Sequence, residues 1–549
     1  MPLKVIPNDL ETLNQSERYV LNKLKELYKD EEEKAYLYLE PKIKNLNPDF
    51  ILIDMTRGVS VIEVKAWSID YIDTINNKEV IATDKKSFHN PSYRTRQYYN
   101  TTKSLFMMNE NLLDEMGELS FSLSAILIFT MLKKSEVEEH KISQFLSHYP
   151  TQILYKEEMR KITFEMLFSL NKKFSKIDEK IFTLMRTVIF PEIKIASSKI
   201  DSELVDIKAL DIEQEEFARR LPNGHYHISG VPGSGKTVIL IARAIHLQKM
   251  NPSWRVGIMT YNKALASKIQ NRLNILSEEL KFMEIDISNI EVVNFHKFAL
   301  SLANTKVVNE EIFWRETLPT KALENAYPQF DALCIDEYQD FYDIWLKVCI
   351  SSIIKHNDNV NLLLAGDRLQ SIYNPNEINW NKNIGLNMRG RSKLLKHSYR
   401  SSSEHITLGL SLLLEDEKYK KEVERFYHGI ENIKGNTSLE SILYIDGTYN
   451  DVAKVLEKTV NELETTDILV LGLDWKRMNR FKSSLPISLQ NKVVVGKEII
   501  EGQITITTYH SSKGLEARVV ILLDMDSTSD IKLKYVAITR ASEKLIIHK

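Results

Sequence analysis

One glycine-rich stretch constrains the fold of this chain more than any other feature, because it requires a strand before it and a helix after it. The stretch is GVPGSGKT, Gly230–Thr237, which fits the pattern G-x-x-x-x-G-K-[ST]. HYHIS before it is typical of a short strand, and Val238–Leu247 after it has the apolar spacing of a helix. Because the chain has only 18 glycines in 549 residues, a chance match is improbable, at about one chain in a hundred. We therefore predict a strand–loop–helix unit whose backbone N–H groups surround the phosphates of a nucleotide.

The side chains of this loop suggest which residues contact the phosphates and which contact the metal ion. Lys236 is expected to neutralise the outer phosphates, and the Thr237 hydroxyl is expected to ligate Mg²⁺. The remaining predicted nucleotide contacts are Gly230, Gly233, Ser234 and Gly235.

Composition sets the broad class. The length predicts roughly three to four domains, and 43% hydrophobic with 27% charged residues is typical of a globular protein. The net charge of −2 neither favours nor excludes nucleic acid. Two cysteines, Cys334 and Cys349, argue against a disulfide scaffold or a cysteine zinc site. The N-terminus lacks an apolar signal core and the longest apolar run, 124–132, is too short for a bilayer, so we expect a cytoplasmic protein with no membrane contact.

The pattern of apolar residues changes along the chain. The first 165 residues are rich in strand-like runs, among them Phe50–Met55 and Val59–Lys65, with helices predicted at Glu11–Tyr28 and Arg94–Met107. A charged, partly helical connector follows. From about residue 208, strands alternate with longer helices, as in parallel α/β domains.

A second chemical signal lies about a hundred residues after the loop. The apolar run ALCI ends in Asp336 and Glu337. Of two acids at a strand end, one can hold Mg²⁺ and the other can orient the attacking water. We assign the metal to Asp336 and the catalytic role to Glu337.

Taken in order, the segments of residues 208–549 resemble a superfamily 1 helicase motor of the UvrD/Rep/PcrA type. The segments are Gln214 in LDIEQEEF, the Gly230–Thr237 loop, TYNK at 260–263, NFH at 294–296, DEYQD at 336–340, GDRLQSIY at 366–373, YRS at 399–401, HSSKGLE at 510–516 and YVAITRA at 535–541. The resemblance implies ATP as the nucleotide and two RecA-like lobes that close on it.

The resemblance also implies roles for single residues. Gln214 and Tyr399 contact adenine, Glu516 contacts ribose, Gln370 senses the γ-phosphate, and Arg400 and Arg540 are arginine fingers. The implied DNA contacts are Thr260, Asn262, Lys263, His296, Tyr373 and His510.

Two departures from that family limit the analogy. After QSIY the chain continues with Asn374–Glu377 instead of an arginine- and tryptophan-containing segment, so base stacking relies on Tyr373 or Trp380. The gaps between His296 and Asp336 and between Arg480 and His510 are too short for the large accessory subdomains of UvrD-like helicases. ATPase activity and translocation are expected, whereas processive unwinding is left open.

The N-terminal part contains the pattern PD…ExK. Asp49 opens one strand-like run, and Glu63 and Lys65 close the next. A hairpin of this length can bring both carboxylates to one Mg²⁺, with Lys65 beside the attacking water. The pattern alone is common, so its neighbours matter.

Three neighbouring features support the pattern. Glu17 on the first predicted helix adds a carboxylate as a further metal ligand, and Asn90-Pro91 with Gln97 opens the second helix. Residues 10–135 thereby resemble the nuclease-related domain (NERD), a relative of PD-(D/E)xK nucleases. Arginines and tyrosines on the second helix form a face suited to phosphate contacts, with core packing or a solvated surface as the alternatives. Gln97 is expected to contact DNA.

The predicted fold class is therefore α/β, with a PD-(D/E)xK nuclease-like domain at 1–165, a helical connector at 166–207, and RecA-like lobes at 208–384 and 385–549 with reduced or absent accessory subdomains. The predicted function is an ATP-driven motor on single-stranded or tailed DNA, with 3′→5′ movement implied, coupled to a Mg²⁺-dependent nuclease in DNA processing, repair or defence against phage. The alternatives are an N-terminal domain that binds DNA without cleaving it, and an ATP-gated regulator. A homo-oligomer or a protein partner is left open.

Overall fold

Two units make up the part of the chain that the structure, a computed structural model, describes. Unit 1 comprises Met1–Leu221 and Asn274–Ile287, and unit 2 comprises Pro222–Leu273 and Ser288–Lys549. The described residues are 3–6, 13–168, 177–195, 208–371, 378–427, 434–436, 441–497, 499–500 and 502–549.

Unit 1 is built on a sheet flanked by helices. Its strands are β1 (Leu3–Ile6), β2 (Ala35–Leu39), β3 (Phe50–Asp54), β4 (Gly58–Lys65), β5 (Ile72–Ile75), β6 (Glu79–Ala82), β7 (Ser87–His89), β8 (Leu123–Phe129), β9 (Gln152–Leu154), β10 (Lys194–Ile195) and β11 (Lys208–Ala209). Its helices are α1 (Gln15–Leu27), α2 (Pro91–Met107), α3 (Lys134–Glu139), α4 (Ser143–Leu146), α5 (Phe164–Leu167), α6 (Glu179–Ile189) and α7 (Ile212–Arg220).

The main sheet of unit 1 has the order β1-β2-β3-β4-β8-β9. Strands β2, β3 and β4 run antiparallel to one another in a meander, whereas β1 runs parallel to β2 and β8 runs parallel to both β4 and β9. Strands β3 and β8 are buried along their whole length, which explains their continuous apolar sequences. Helix α1 buries Val20, Leu21 and Leu24 in the core that contains residues of this sheet.

Helix α7, which carries Gln214, is held within unit 1 by buried charges. Glu215 of α7 accepts a hydrogen bond from Arg186 of α6, and both side chains are almost fully buried. The Arg186 Nε also donates to the Tyr38 hydroxyl at 2.9 Å. Such a pair is costly to break, because removing one partner leaves the other charge buried and uncompensated.

Unit 2 is built on two large, mainly parallel sheets, with a small parallel pair formed by His397–Ser402 and Lys434–Asn436, and the phosphate loop follows a strand of the first large sheet. Its strands are β12 (His225–Gly230), β13 (Val256–Thr260), β14 (Ile290–Asn294), β15 (Ala332–Asp336), β16 (Lys355–His356), β17 (Asn359–Gly366) and β18 (Ser392–Leu395). The helices of this region are α8 (Lys236–Met250), α9 (Lys263–Phe282, which continues into the second segment of unit 1), α10 (Phe295–Ala303), α11 (Leu318–Glu324) and α12 (Asp343–Ser351). We call this sheet with its helices the first lobe.

The first-lobe sheet has the order β14-β13-β15-β17-β12-β18, and these strands are parallel. Thr260 is in register with both Asn294 and Asp336, and Ser229 is in register with Gly366. The carboxyl ends of the strands therefore meet at one edge, where ligands bind in open α/β sheets.

The second lobe follows in the sequence. Its strands are β19 (His397–Ser402), β20 (Lys434–Asn436), β21 (Ile442–Ile445), β22 (Ile468–Gly472), β23 (Val493–Val495), β24 (Ile504–Thr508), β25 (Ala517–Leu522) and β26 (Ala541–His548). Its helices are α13 (Ser403–Leu414), α14 (Glu417–Tyr427), α15 (Tyr449–Glu462), α16 (Trp475–Ser484), α17 (Ile487–Gln490) and α18 (Ile531–Ile538). The sheet β21-β26-β25-β22-β24-β23 is parallel throughout.

The prediction of parallel α/β sheets in the second part of the chain is thus confirmed. Between α10 and β15 the chain forms α11 and a single π-helical turn at Phe313–Thr317. No helix in the described ranges is long and apolar enough to cross a bilayer. The nuclease-like class of unit 1 and the four domain boundaries stay predictions.

Candidate functional sites

The phosphate loop lies between β12 and α8, as its sequence predicts. Gly233 and Gly235 adopt positive φ angles of 74° and 85°, a backbone region that favours glycine. Lys236 begins α8 and is buried, and its Nζ donates to the carbonyls of Gly230 at 2.9 Å and Val231 at 3.2 Å. The loop is therefore curled around its own lysine, at a helix N-terminus that favours anions.

The two predicted acids lie at the carboxyl end of β15. The Thr237 hydroxyl donates to Asp336 Oδ2 at 2.5 Å, which joins the loop to the strand. Burial, followed by the charge of Glu337, raises the pKa of Asp336 to about 7. The hydroxyl and the carboxylate are the oxygen ligands that Mg²⁺ prefers, so this pair fits the predicted metal.

Glu337 lies in unit 2, and the charges of three cations act on it. Burial opposes its ionisation, but the charges of Lys513, Lys236 and Arg540 outweigh it and hold the pKa of Glu337 below its ordinary value. The Gln339 amide also donates to its carboxylate. Its backbone has a positive φ of 51°. Strain of this kind in a non-glycine residue is concentrated at functional sites.

Two of these cations come from the second lobe and bond to first-lobe groups. Lys513 Nζ donates to Asp340 Oδ1 at 2.7 Å and to the Gln370 carbonyl at 2.8 Å. Arg540 Nη2 donates to Gln370 Oε1 at 2.7 Å. Gln370 is thus held by its backbone and by its side chain from the opposite lobe.

Lys513 is the functional candidate that the sequence analysis missed. It lies within HSSKGLE, a segment for which only His510 and Glu516 were given roles. The available signal was a lysine followed by glycine in an otherwise polar loop, which is too weak to assign a contact across the lobes.

The other predicted nucleotide contacts fall in several places. Glu516 lies 3.8 Å from Lys268, so it forms an ion pair with the first lobe. Gln214 belongs to unit 1, where its Oε1 accepts the Asp211 N–H in a capping box at 3.1 Å. Tyr399 and Arg400 lie in β19, but their side chains are outside the described part. The predicted roles of these residues stay predictions.

Among the predicted nucleic-acid contacts, Thr260, Asn262 and Lys263 follow one another at the end of β13 and the start of α9. His510 is exposed in the second lobe. Tyr373 and the Asn374–Glu377 segment lie outside the described residues.

His296 and Trp380 lie against aromatic side chains of the first lobe. The His296 ring packs against Tyr261 at 5.4 Å and Trp345 at 4.9 Å, and burial lowers its pKa to about 4. A neutral ring is suited to packing or hydrogen bonding, and not to a charged contact with phosphate. Trp380, the alternative stacking residue, packs against Tyr338 at 5.7 Å.

In unit 1, Asp49, Glu63 and Lys65 come together as the hairpin predicts. Asp49 Oδ2 accepts the Val64 N–H at 2.6 Å, and Lys65 Nζ donates to Glu63 Oε1. Burial, followed by the charge of Glu63, raises the pKa of Asp49 to about 7. Glu63 is 4% exposed, and its buried Oε2 accepts no hydrogen bond from any residue that the structure describes. This oxygen is available to a ligand.

Glu17 has a structural task at the start of α1. Its two carboxylate oxygens accept hydrogen bonds from the backbone and the side chain of Asn14, which completes a capping box. Burial raises the pKa of Glu17, and the charge of Asp49 adds to this effect. Among the described residues, no group of three or more His, Cys, Asp or Glu side chains is arranged to hold a metal ion.

Gln97 lies on α2 at the edge of a cavity of about 340 Å³. Its Nε2 donates to the Tyr93 hydroxyl at 2.8 Å. The cavity is lined by Lys44, Asn45, Leu46, Gln97, Asn100, Thr101 and Glu284. Gln97 is half-buried at this position in unit 1.

Two family models match parts of the chain. Residues 214–376 match the family model described as an AAA domain, and residues 503–548 match that of the UvrD-like helicase C-terminal domain. No curated protein matches the chain.

Among solved structures, the chain is similar to the helicase of PRRSV, with a TM-score of 0.29 and 14% identity over 59% of this chain and 52% of that one. It is also similar to the arterivirus nonstructural protein 10 helicase, with a TM-score of 0.31 and 14% identity over 59% of each chain. This chain therefore spans between half and three fifths of the length of these two structures. The two family models support a UvrD-like superfamily 1 helicase motor in this chain.

Proposed function

We propose that residues 208–549 form an ATP-driven motor that moves along nucleic acid. The observation that carries this proposal is that Lys513 and Arg540 of the second lobe hydrogen-bond to Asp340 and Gln370 of the first, which also carries the phosphate loop and Glu337. In phosphoryl transfer, charge spreads over the phosphate oxygens, and cations from both walls of a cleft stabilise it. DNA as the track, 3′→5′ movement and helicase or translocase activity rest on the resemblance to UvrD-like motors.

ATP and Mg²⁺ are the cofactors that these residues suit. Lys236 and the loop N–H groups would hold the phosphates, while Thr237 and Asp336 would hold the metal, which neutralises phosphate charge. Glu337 is the base that orients water. Gln370, held by Lys513 and Arg540, links the two lobes, so a change at the phosphates is transmitted to both.

The test is ATP hydrolysis with and without single-stranded DNA. The wild type should hydrolyse ATP when single-stranded DNA is present, and Lys236→Ala should abolish this hydrolysis. Glu311→Ala is the matched control, because that glutamate is exposed on the first lobe. Hydrolysis that is indifferent to single strands would contradict the motor and favour an ATP-sensing regulator.

We also propose that unit 1 is a Mg²⁺-dependent DNA nuclease coupled to this motor. The supporting observation is the buried pair of carboxylates, Asp49 and Glu63, with an unpartnered Glu63 oxygen and Lys65 beside it. Two acids, with the Val64 carbonyl, suit one metal ion, and Lys65 suits polarisation of the attacking water.

The nuclease is tested with Asp49→Ala and Lys65→Ala on single-stranded, duplex and tailed DNA. Each variant should lose Mg²⁺-dependent cleavage and keep its ATPase activity. Lys85→Ala, which changes an exposed lysine of unit 1, is the control. Cleavage equal to that of the wild type in either variant would remove the nuclease assignment.

A second candidate is that unit 1 binds DNA without cleaving it. A related alternative is that ATP gates the activity of unit 1. The use of Glu17 in a helix cap and the lack of a three-residue metal cluster among the described residues favour this candidate. It predicts DNA binding without cleavage at any Mg²⁺ concentration, whereas a gate predicts that ATP inhibits cleavage.

The proposed setting is DNA processing, in repair or in defence against phage DNA. Cells that express the wild type should reduce phage plating, and cells that express Lys236→Ala should not. Equal plating in both would leave repair as the proposal, to be tested by survival after DNA damage.

A further inference from the structure

Four aromatic rings form a connected, partly exposed group on unit 1, next to Gln97, whose Nε2 donates to the Tyr93 hydroxyl. Tyr149 packs against His148 at 4.8 Å between ring centroids and against Tyr93 at 5.2 Å. Tyr93 in turn lies 6.4 Å from His89. We call these four residues the aromatic strip.

The strip is partly exposed, in contrast to Tyr98, the next tyrosine on the same helix. Both histidines are exposed and both tyrosines are half-buried. Tyr98, five residues after Tyr93 on α2, is 4% exposed. The folding of unit 1 therefore uses Tyr98 for its core and leaves the rings of the strip accessible to a ligand.

A cation lies beside the strip. Arg96 Nη1 donates to the Pro150 carbonyl at 3.0 Å, directly after Tyr149. Its guanidinium also lies 4.2 Å from the centre of the Tyr99 ring, so it is oriented on both sides. An arginine held beside partly exposed rings is suited to a phosphate next to a stacked base.

Tyr98 connects the helix of the strip to the carboxylate pair. The Tyr98 hydroxyl donates to the Asn47 carbonyl at 3.2 Å, two residues before Asp49. Tyr93 precedes Tyr98 by five residues, which is about 7.5 Å along a helix axis. Helix α2 therefore carries Tyr93 of the strip and also contacts the segment that leads into Asp49.

We propose that the aromatic strip binds single-stranded nucleic acid by stacking its bases on Tyr93 and Tyr149, with Arg96 at the intervening phosphate. This inference rests on the proposed nuclease function of unit 1, to which it adds the form of the substrate. Stacking does not depend on base identity, because every base has a π-face, so binding is tolerant of sequence. Paired bases are not accessible for stacking, so duplex DNA binds less well.

The experiment is photo-cross-linking of the full chain to an oligothymidylate that carries 5-iododeoxyuridine, in EDTA and without ATP. Neither cleavage nor translocation occurs under these conditions, so the readout is binding alone. Mass spectrometry should locate cross-links in peptides that contain Tyr93 and Tyr149. A duplex competitor should displace the oligonucleotide only at concentrations at least about tenfold above those of a single-stranded competitor.

The variants separate stacking from folding. Tyr93→Leu with Tyr149→Leu should lower the cross-link yield at the remaining strip residues about tenfold, the loss expected for stacked bases. Tyr93→Phe with Tyr149→Phe should retain the yield, because the rings remain. Tyr19→Leu, at an exposed tyrosine of unit 1, is the control and should also retain it.

The proposal is overturned if the wild type gives no cross-link in the strip, if the leucine variant keeps the wild-type yield, or if duplex competes as well as single strands. Strip cross-links in a protein that never cleaves DNA would retain this proposal and reject the nuclease. DNA cleavage without strip cross-links would retain the nuclease and reject the proposed role of the strip.

Discussion

The two candidate sites use the same acids in different surroundings. In each, an aspartate is paired with a glutamate, and burial followed by the charge of that glutamate raises the aspartate pKa to about 7. In unit 2, three cations act on Glu337. In unit 1, the lysine bonded to Glu63 is its neighbour two residues on, and one oxygen of that glutamate has no described partner.

The two sites also differ in how far apart in the sequence their bonded residues lie. The hydrogen bond from Val64 to Asp49 spans 15 residues, within one hairpin. The Lys513–Asp340 and Arg540–Gln370 bonds span 173 and 170 residues and join two lobes. We infer that the carboxylate pair of unit 1 is preformed by local structure, whereas the cations at Glu337 depend on how the lobes meet.

The largest effects should come from exchanging each glutamate for its neutral isostere. Glu337→Gln should lower ATP hydrolysis roughly 10²–10³-fold, because the group that orients water is lost. Glu63→Gln should lower DNA cleavage by a similar factor and leave ATPase unchanged. Phosphate release and gel assays measure the two activities. If either variant impairs both activities equally, the two sites are not separate functions.

A smaller effect should appear in the stability of the first lobe at low pH. Burial lowers the pKa of His227 to about 4, from an ordinary value near 6.5. The unfolded chain therefore binds a proton that the folded chain does not, so stability is complete above pH 6.5 and falls by about 3 kcal/mol as the pH approaches 4.

Hydrogen exchange of β12 peptides between pH 4 and 7 measures this loss. His227→Phe should remove it and keep the edge-on packing against Tyr338. His140→Phe, at an exposed histidine of unit 1, should not. An unchanged pH profile in His227→Phe would assign the acid sensitivity to another group.

Lys513→Met tests whether ATP hydrolysis depends on the single buried lysine that joins the two lobes. It should lower kcat for ATP about 30-fold, equivalent to about 2 kcal/mol, and change KM much less, because Lys513 bonds to Asp340 and Gln370. Lys513→Arg should restore part of the rate. Arg518→Gln, at an exposed pair within the second lobe, is the control. A change in KM alone would show that Lys513 serves nucleotide binding instead.

The smallest effect is expected for Glu17→Gln, because glutamine also completes a capping box. DNA cleavage should change less than about threefold, with the helix start preserved. A loss of about 10²-fold would instead make Glu17 a metal ligand, as the sequence analysis predicted, and would make the two sites more alike.

Much of the local structure could be predicted from the sequence. The helix predicted at Glu11–Tyr28 forms at Gln15–Leu27, and the strand predicted at Val59–Lys65 forms at Gly58–Lys65. Both have apolar residues at the period of the element, which a one-dimensional pattern reveals. The spacing of Asn14 and Glu17, three residues apart, is also typical of a capping box. The sequence analysis instead predicted Glu17 as a metal ligand.

The sequence by itself determined the loop, the strand that ends in two acids and the PD…ExK hairpin, because each is a short pattern whose chemistry depends on adjacent residues. Tertiary structure alone decided that Lys513 reaches Asp340 and that Arg540 donates to the side chain of Gln370. It also decided that Tyr98 is buried while Tyr93 stays partly accessible. Those contacts depend on the packing of distant segments, and nothing in the local spacing of residues encodes which of many lysines or tyrosines will meet a given partner.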